Sequence, residues 1–174
     1  MFYALMIDSN GNGIGSHAYV EQPSSYPSNE IPCTEAQAKT PMAYQVVNGQ
    51  IVESLAYAKT SQIALLQSAF QKAEQAPVSV TLASGVTTSF GMTPHDWSKI
   101  IGLYSKYVAK GVALPSGYQI PDVKGVLQAV TVADIENLFD AGETQMTGAI
   151  AKLASLAGQV EAATTVSTVQ AIVW

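Results

Sequence analysis

Hydrophobic and polar positions change period several times along the chain, and each change marks an element. The opening MFYALMI is a short apolar run that predicts a strand, and DSNGNG after it is dense in turn formers. Residues 22–41 carry Pro23, Pro27, Pro32 and Pro41 among Ser and Asn, which predicts an extended, weakly structured crossing. In VVNGQIV, residues 46–52, Asn48-Gly49 accommodates the positive φ angles of a type I′ turn between apolar flanks, so a compact hairpin is expected. Residues 1–54 therefore read as a small β unit with few core residues of its own.

The period then lengthens. A helix is expected over residues 55–76, stopped by Pro77. Ala56, Lys59, Ile63, Leu66, Phe70 and Ala73 recur at alternating spacings of three and four, a heptad-like seam interrupted at Lys59. Such a stripe either packs on its own domain or joins copies of the chain. Ile63, Leu66, Phe70 and Ala73 are the candidate oligomerisation seam.

Residues 77–174 repeat one plan. VSVTL and VTTSF flank Ala83-Ser84-Gly85 as a hairpin, and Thr93-Pro94-His95-Asp96 opens a helix with Thr93 as N-cap. Trp97, Ile100, Ile101, Tyr104 and Val108 form its expected apolar face, with Gly111 as the stop. A second hairpin is expected from Tyr118–Val123 and Val126–Val130 across Lys124-Gly125. Thr131 and Asp134 then cap a long helix whose expected buried stripe is Ile135, Leu138, Phe139, Met146, Ile150, Leu153, Leu156 and Val160. Gly142 and Gly148 weaken that helix by about 1 kcal/mol each relative to Ala. Thr164 or Thr165 caps a last short helix, and Trp174 is expected to tuck against the domain. The fold class is α+β: a small N-terminal β unit, a connecting helix, and a C-terminal domain of two hairpin–helix units with helices on one face of an antiparallel sheet.

Composition changes the picture in two ways. Only 12% of the 174 residues are charged, against 48% hydrophobic, which argues for a real core and a bland surface suited to being covered by other chains. The net charge of −5 gives a polyanion no reason to bind, so nucleic acid is not an expected partner. The opening apolar run is too short for a membrane span or a signal peptide and lacks a preceding basic residue, so no membrane insertion is expected and the chain is placed in the cytosol of the cell that makes it.

Candidate chemistry is thin. DSNGNG puts Asp8, Asn10, Asn12 and Gly13 at the first positions of a calcium loop, but position twelve is Tyr19 instead of Glu, and no helix follows to complete a calcium or phosphate site. It reads as a strand-reversing turn. Cys33 is the only cysteine, so an internal disulfide is excluded, and without a base partner it reads as a structural or incidental thiol and not a nucleophile. His95 beside Asp96 could imitate a base and its orienter, but no G-x-S-x-G, H-E-x-x-H or Walker sequence accompanies it. No catalytic, metal or cofactor-binding residue is assigned. Tyr104, Tyr107 and Tyr118 cluster with Trp97, as in a sugar-binding surface, though aromatics at helical spacing are commonly core.

The beginning MFYALMIDSNGNGIG, the segment CTEAQAKTPMAYQVVNGQIVES and the ending AATTVSTVQAIVW together resemble tailed-bacteriophage tail-fibre-associated proteins. Residues 78–174 are similar to an uncharacterised C-terminal domain family of phage and prophage tail genes, through the hairpin, the capped helix, the second hairpin with its Thr-capped helix and the closing motif. This sequence departs from the pattern in the Thr93-Pro94 helix start and in a looser stretch over residues 108–121. The resemblance implies a virion tail component of the fibre or baseplate region, assembled in the host cytoplasm. Its implied partners are other phage tail proteins and copies of itself, a trimer above all. It also leaves open an assembly chaperone outside the virion, or a module that binds or hydrolyses a host-surface glycan. That family offers no catalytic residues to carry over.

Overall fold

The computed structural model describes residues 1–174 and has an α+β architecture. Two compact units divide it: residues 1–65 with 156–173, and residues 66–155 with Trp174. This division cuts across the three sections expected from sequence, because residues 156–173 belong with the N-terminal β unit.

In the first unit, β1 (Phe2–Ile7) lies between β2 (Gly13–Tyr19) and β3 (Glu30–Cys33), antiparallel to both. As the central strand β1 is covered on both faces, so neighbouring Ala4 and Leu5 are both fully buried. The Pro-rich crossing is more ordered than expected. It holds β3 and the short helix α1 (Glu35–Lys39), begun by a reciprocal cap: Gln37 N–H donates to Thr34 Oγ1 at 3.2 Å and Thr34 N–H to Gln37 Oε1 at 2.9 Å. Thr34-x-x-Gln37 is a capping signature that the prolines around it mask. A single 3₁₀ turn, Pro41–Ala43, leads into the expected hairpin of β4 (Tyr44–Val47) and β5 (Gln50–Glu53), with φ of 52° at Asn48 and 79° at Gly49.

Helix α2 (Leu55–Glu74) begins in this unit. Its early residues meet the end of the chain: Lys59 Nζ donates to the Glu161 carbonyl at 2.5 Å and Gln62 Nε2 to the Ile172 carbonyl at 2.5 Å. Val160, Ala163 and Val169 are buried there, and Thr165 caps the short helix α5 (Val166–Gln170). These bonds span more than a hundred residues, which is why local periodicity could not assign residues 156–173 to this unit.

The second unit contains the two hairpins, β6 (Val78–Thr81) with β7 (Thr87–Phe90), and β8 (Gln119–Pro121) with β9 (Leu127–Ala129). Each is followed by a helix, α3 (Pro94–Leu103) and α4 (Val132–Ala162). The hairpins remain two separate two-stranded sheets, where one shared antiparallel sheet was expected. The backbone bond between them runs from Val123 N–H to the Ser89 carbonyl at 3.0 Å, and Pro121 in β8 has no N–H to extend it into a ladder.

The core of this unit joins both repeats through Val78, Val80, Leu82, Phe90, Met92, Ile100, Tyr107, Val130, Ile135 and Leu138. Two expected core positions are solvent-facing: Ile101 is 43% exposed and Ile150 53% exposed. A π-helical turn at Tyr104–Ala109 follows α3 and rotates the register, so that Tyr107 is buried. In α4 the buried position is Ala149, one residue and about 100° from Ile150. Gly142 is a close-approach site, since any Cβ there would overlap Met92 and meet Trp97 Cζ3 at 2.6 Å.

Candidate functional site

The DSNGNG turn is organised by Asp8. One carboxylate oxygen accepts the N–H groups of Asn10 (2.8 Å) and Asn12 (2.9 Å), and the other accepts the Asn12 side-chain amide at 2.9 Å. That amide and the Asn12 N–H hold the Asp8 carboxyl below the usual carboxylate range. Gly11 has φ of 83°, and a Cβ there would meet the Val46 carbonyl oxygen at 2.8 Å, so the turn docks on β4 only as glycine. The carboxylate is thus occupied by its own loop, and the segment is a strand-reversing turn.

A constellation missed by sequence reasoning lies on one face of the three-stranded sheet. Glu30 is buried, and its carboxylate meets His17 Nδ1 at 2.6 Å on one oxygen and the Tyr19 hydroxyl on the other. The bond to Glu30 pushes the Tyr19 phenol up. Strand register explains the convergence: Ala4 pairs with His17, Phe2 with Tyr19 and Met6 with Glu30, all on one side of β1. Alternation in GIGSHAY placed His17 and Tyr19 together, but Glu30 joins them only because β1 lies between β2 and β3. Cys33 pairs with Tyr3 and so occupies the opposite face, which rules out a Cys–His dyad with His17. Burial pushes the Cys33 thiol up, further from the reactive thiolate.

In the second unit two aspartates bind the repeats together. Asp122 Oδ1 accepts Lys124 N–H (2.8 Å) and Val126 N–H (3.0 Å) of its own turn; Oδ2 accepts the Thr88 hydroxyl of β7 (2.9 Å) and the Gln128 amide (3.0 Å). Asp134 Oδ2 accepts both the N–H (2.8 Å) and the hydroxyl (2.7 Å) of Thr131, and Oδ1 accepts Ala83 N–H of the first hairpin's turn at 2.7 Å. Burial opposes ionisation of both groups, but these donors outweigh it and hold both carboxyls below the ordinary range.

The same unit contains a groove of about 450 Å³ where β7 and β8 diverge. Phe90, Ile100 and Leu138 form its floor, Tyr107 and Tyr118 a wall, and Lys99 and Lys106 a rim. Trp97 and Tyr104 from the expected aromatic cluster are not in it. They stack on Phe139, with ring centroids 5.3 and 4.0 Å away, and pack partly buried against the core.

His95 is exposed, and the Asp96 carboxylate beside it accepts the Thr93 hydroxyl at 2.6 Å, a helix cap. On the candidate seam, Leu66 is 1% exposed, and Ile63, Phe70 and Ala73 are partly covered. Phe70 meets Trp174 edge-on at 6.4 Å, with the Lys152 ammonium 4.9 Å from the Trp174 ring. The most exposed large apolar residue of α2 is instead Leu65, at 63%. No group of three or more His, Cys, Asp or Glu is placed to hold a metal ion, and no helix is long and apolar enough to cross a membrane. Comparison with protein-family models, curated proteins and solved structures gives no match.

Proposed function

We propose that the chain is a structural component of a tailed-bacteriophage tail, in the fibre or baseplate region, working as a homo-oligomer alongside other tail proteins. The observation that carries this reading is the role of the ending AATTVSTVQAIVW, the most specific part of the resemblance. Ala163 and Val169 are buried, Thr165 is a helix cap, the Ile172 carbonyl takes the Gln62 amide, and Trp174 packs on Phe70. Each motif residue so placed has an architectural task, as suits a module defined by its shape.

The ionisable groups support the same reading. Asp8, Glu30, Asp122 and Asp134 have their carboxylate oxygens occupied by hydrogen-bond donors of the fold. Low charge and exposed apolar side chains such as Leu65, Val126 and Leu127 suit a surface covered in an assembly.

Quantitative mass spectrometry of purified virions tests the proposal. The chain is expected at a fixed copy number commensurate with tail symmetry, a multiple of three for a trimer. Its absence from mature particles, with presence in infected-cell extracts, would overturn the virion role in favour of an assembly chaperone.

A further inference from the structure

We propose that the groove between the two hairpins is a binding site for a small amphipathic carboxylate, a molecule with one flat apolar ring system and one acid group. This goes beyond the structural role above and stands independently of it.

The groove exists because the repeats fail to merge. Pro121 gives β8 no N–H with which to continue pairing toward β7, so the strands part beyond the Val123–Ser89 bond. The space left, about 450 Å³, lies within the range of small-molecule sites. Gly91 and Asp96 both line it and approach closely: a Cβ on Gly91 would meet Asp96 Oδ2 at 2.6 Å.

Chemistry of the lining defines the ligand. The floor of Phe90, Ile100 and Leu138 is apolar, and Tyr107 and Tyr118, with ring centroids 5.8 Å apart, form an aromatic wall. Such a surface favours a flat ring over a hydroxyl-rich sugar, whose polar groups would find few partners on that floor. The rim selects charge. The chain has 8 basic residues against 13 acidic ones, yet two lysines, Lys99 and Lys106, border this one groove. Lys99 makes no ion pair, and the Lys106 ammonium lies 4.9 Å from the Tyr107 ring centroid, facing the aromatic wall. Asp96 is the one carboxylate of the lining, and its Oδ2 already accepts the Thr93 hydroxyl. An anion entering ring-first would bury its apolar body and leave its acid group at the lysines.

Titration of the full chain with 2-naphthoate, followed by amide chemical shifts, tests this against neutral 2-naphthylmethanol. The acid is expected to shift Gly91, Gly102 and Ile120 and to bind about fivefold more tightly than the alcohol. Lys99 and Lys106 are exposed, so K99Q/K106Q is expected to keep the wild-type amide spectrum; in it the two ligands should bind equally, while K99R/K106R should retain the preference. Equal affinity of acid and alcohol for the wild-type chain, shifts centred elsewhere, or no shifts would each overturn the proposal.

Discussion

The two helix caps of the second unit share one sequence pattern and do different work. Thr93-Pro-His-Asp96 and Thr131-Val-Ala-Asp134 both place a Thr hydroxyl on the third helical N–H, at 3.3 and 3.2 Å, and both aspartates take that hydroxyl's proton bond. Asp96 stops there, within its own turn. Asp134, only 2% exposed, also takes Ala83 N–H from 51 residues earlier and so fastens the first repeat's hairpin to the second repeat's helix. A motif that is local in one repeat is a tertiary lock in the other, and the difference lies in what burial brings within reach.

Substitution should separate the two. Asp134→Ala keeps the Thr131 cap but leaves the Thr131 N–H and hydroxyl and the Ala83 N–H without their acceptor, so a loss of about 2–4 kcal/mol is expected by urea denaturation. A loss no larger than that of Asp96→Ala would break the comparison. Asp122→Ala should rank next. It frees Thr88 and Gln128 and the turn's two N–H groups, and it should lower the thermal midpoint by less than Asp134→Ala, with Thr88→Val reproducing part of the drop.

Acid should act through the same two residues. Both folded carboxyls lie below the ordinary value of 3.8, so the stability they contribute is present above that value and is lost as pH falls through the lower folded values. The stability gap between wild type and the D122N/D134N variant should be constant above about pH 5 and close below about pH 4. A gap that persists at acid pH would show that ionisation is not what the hydrogen bonds favour. The smallest effect belongs to Asp96→Ala, about 0.5–1 kcal/mol, because it removes only the acceptor of the Thr93 hydroxyl and leaves the Thr93 cap in place.

How much of this was legible follows the same division between near and far. The α+β class, three of the hairpins and the Thr93 and Thr131 caps came from turn chemistry and periodicity within a few residues, which also narrowed the last cap to Thr164 or Thr165, the structure taking Thr165. The helix faces were read one residue off in two places: the π turn after α3 buries Tyr107 beside the expected Val108, and α4 buries Ala149 beside the expected Ile150. The Glu30 cluster, the gap between the hairpins and the docking of residues 156–173 depend on strand order and long-range hydrogen bonds, which no local pattern encodes. The groove was half visible: Tyr107 and Tyr118 were singled out as a cluster, but their companions Trp97 and Tyr104 turned inward onto Phe139.

Asp122 and Asp134 serve the architecture of the second unit, and Ala83 reports on that claim directly, because it is a solvent-exposed turn residue whose N–H is tied to a buried carboxylate. Amide hydrogen exchange of Ala83 should be slowed to the level of the neighbouring core strands in the wild type and should speed up selectively in Asp134→Ala under conditions where the rest of the unit stays folded. Exchange of Ala83 at the rate of a free surface turn in the wild type would contradict the account.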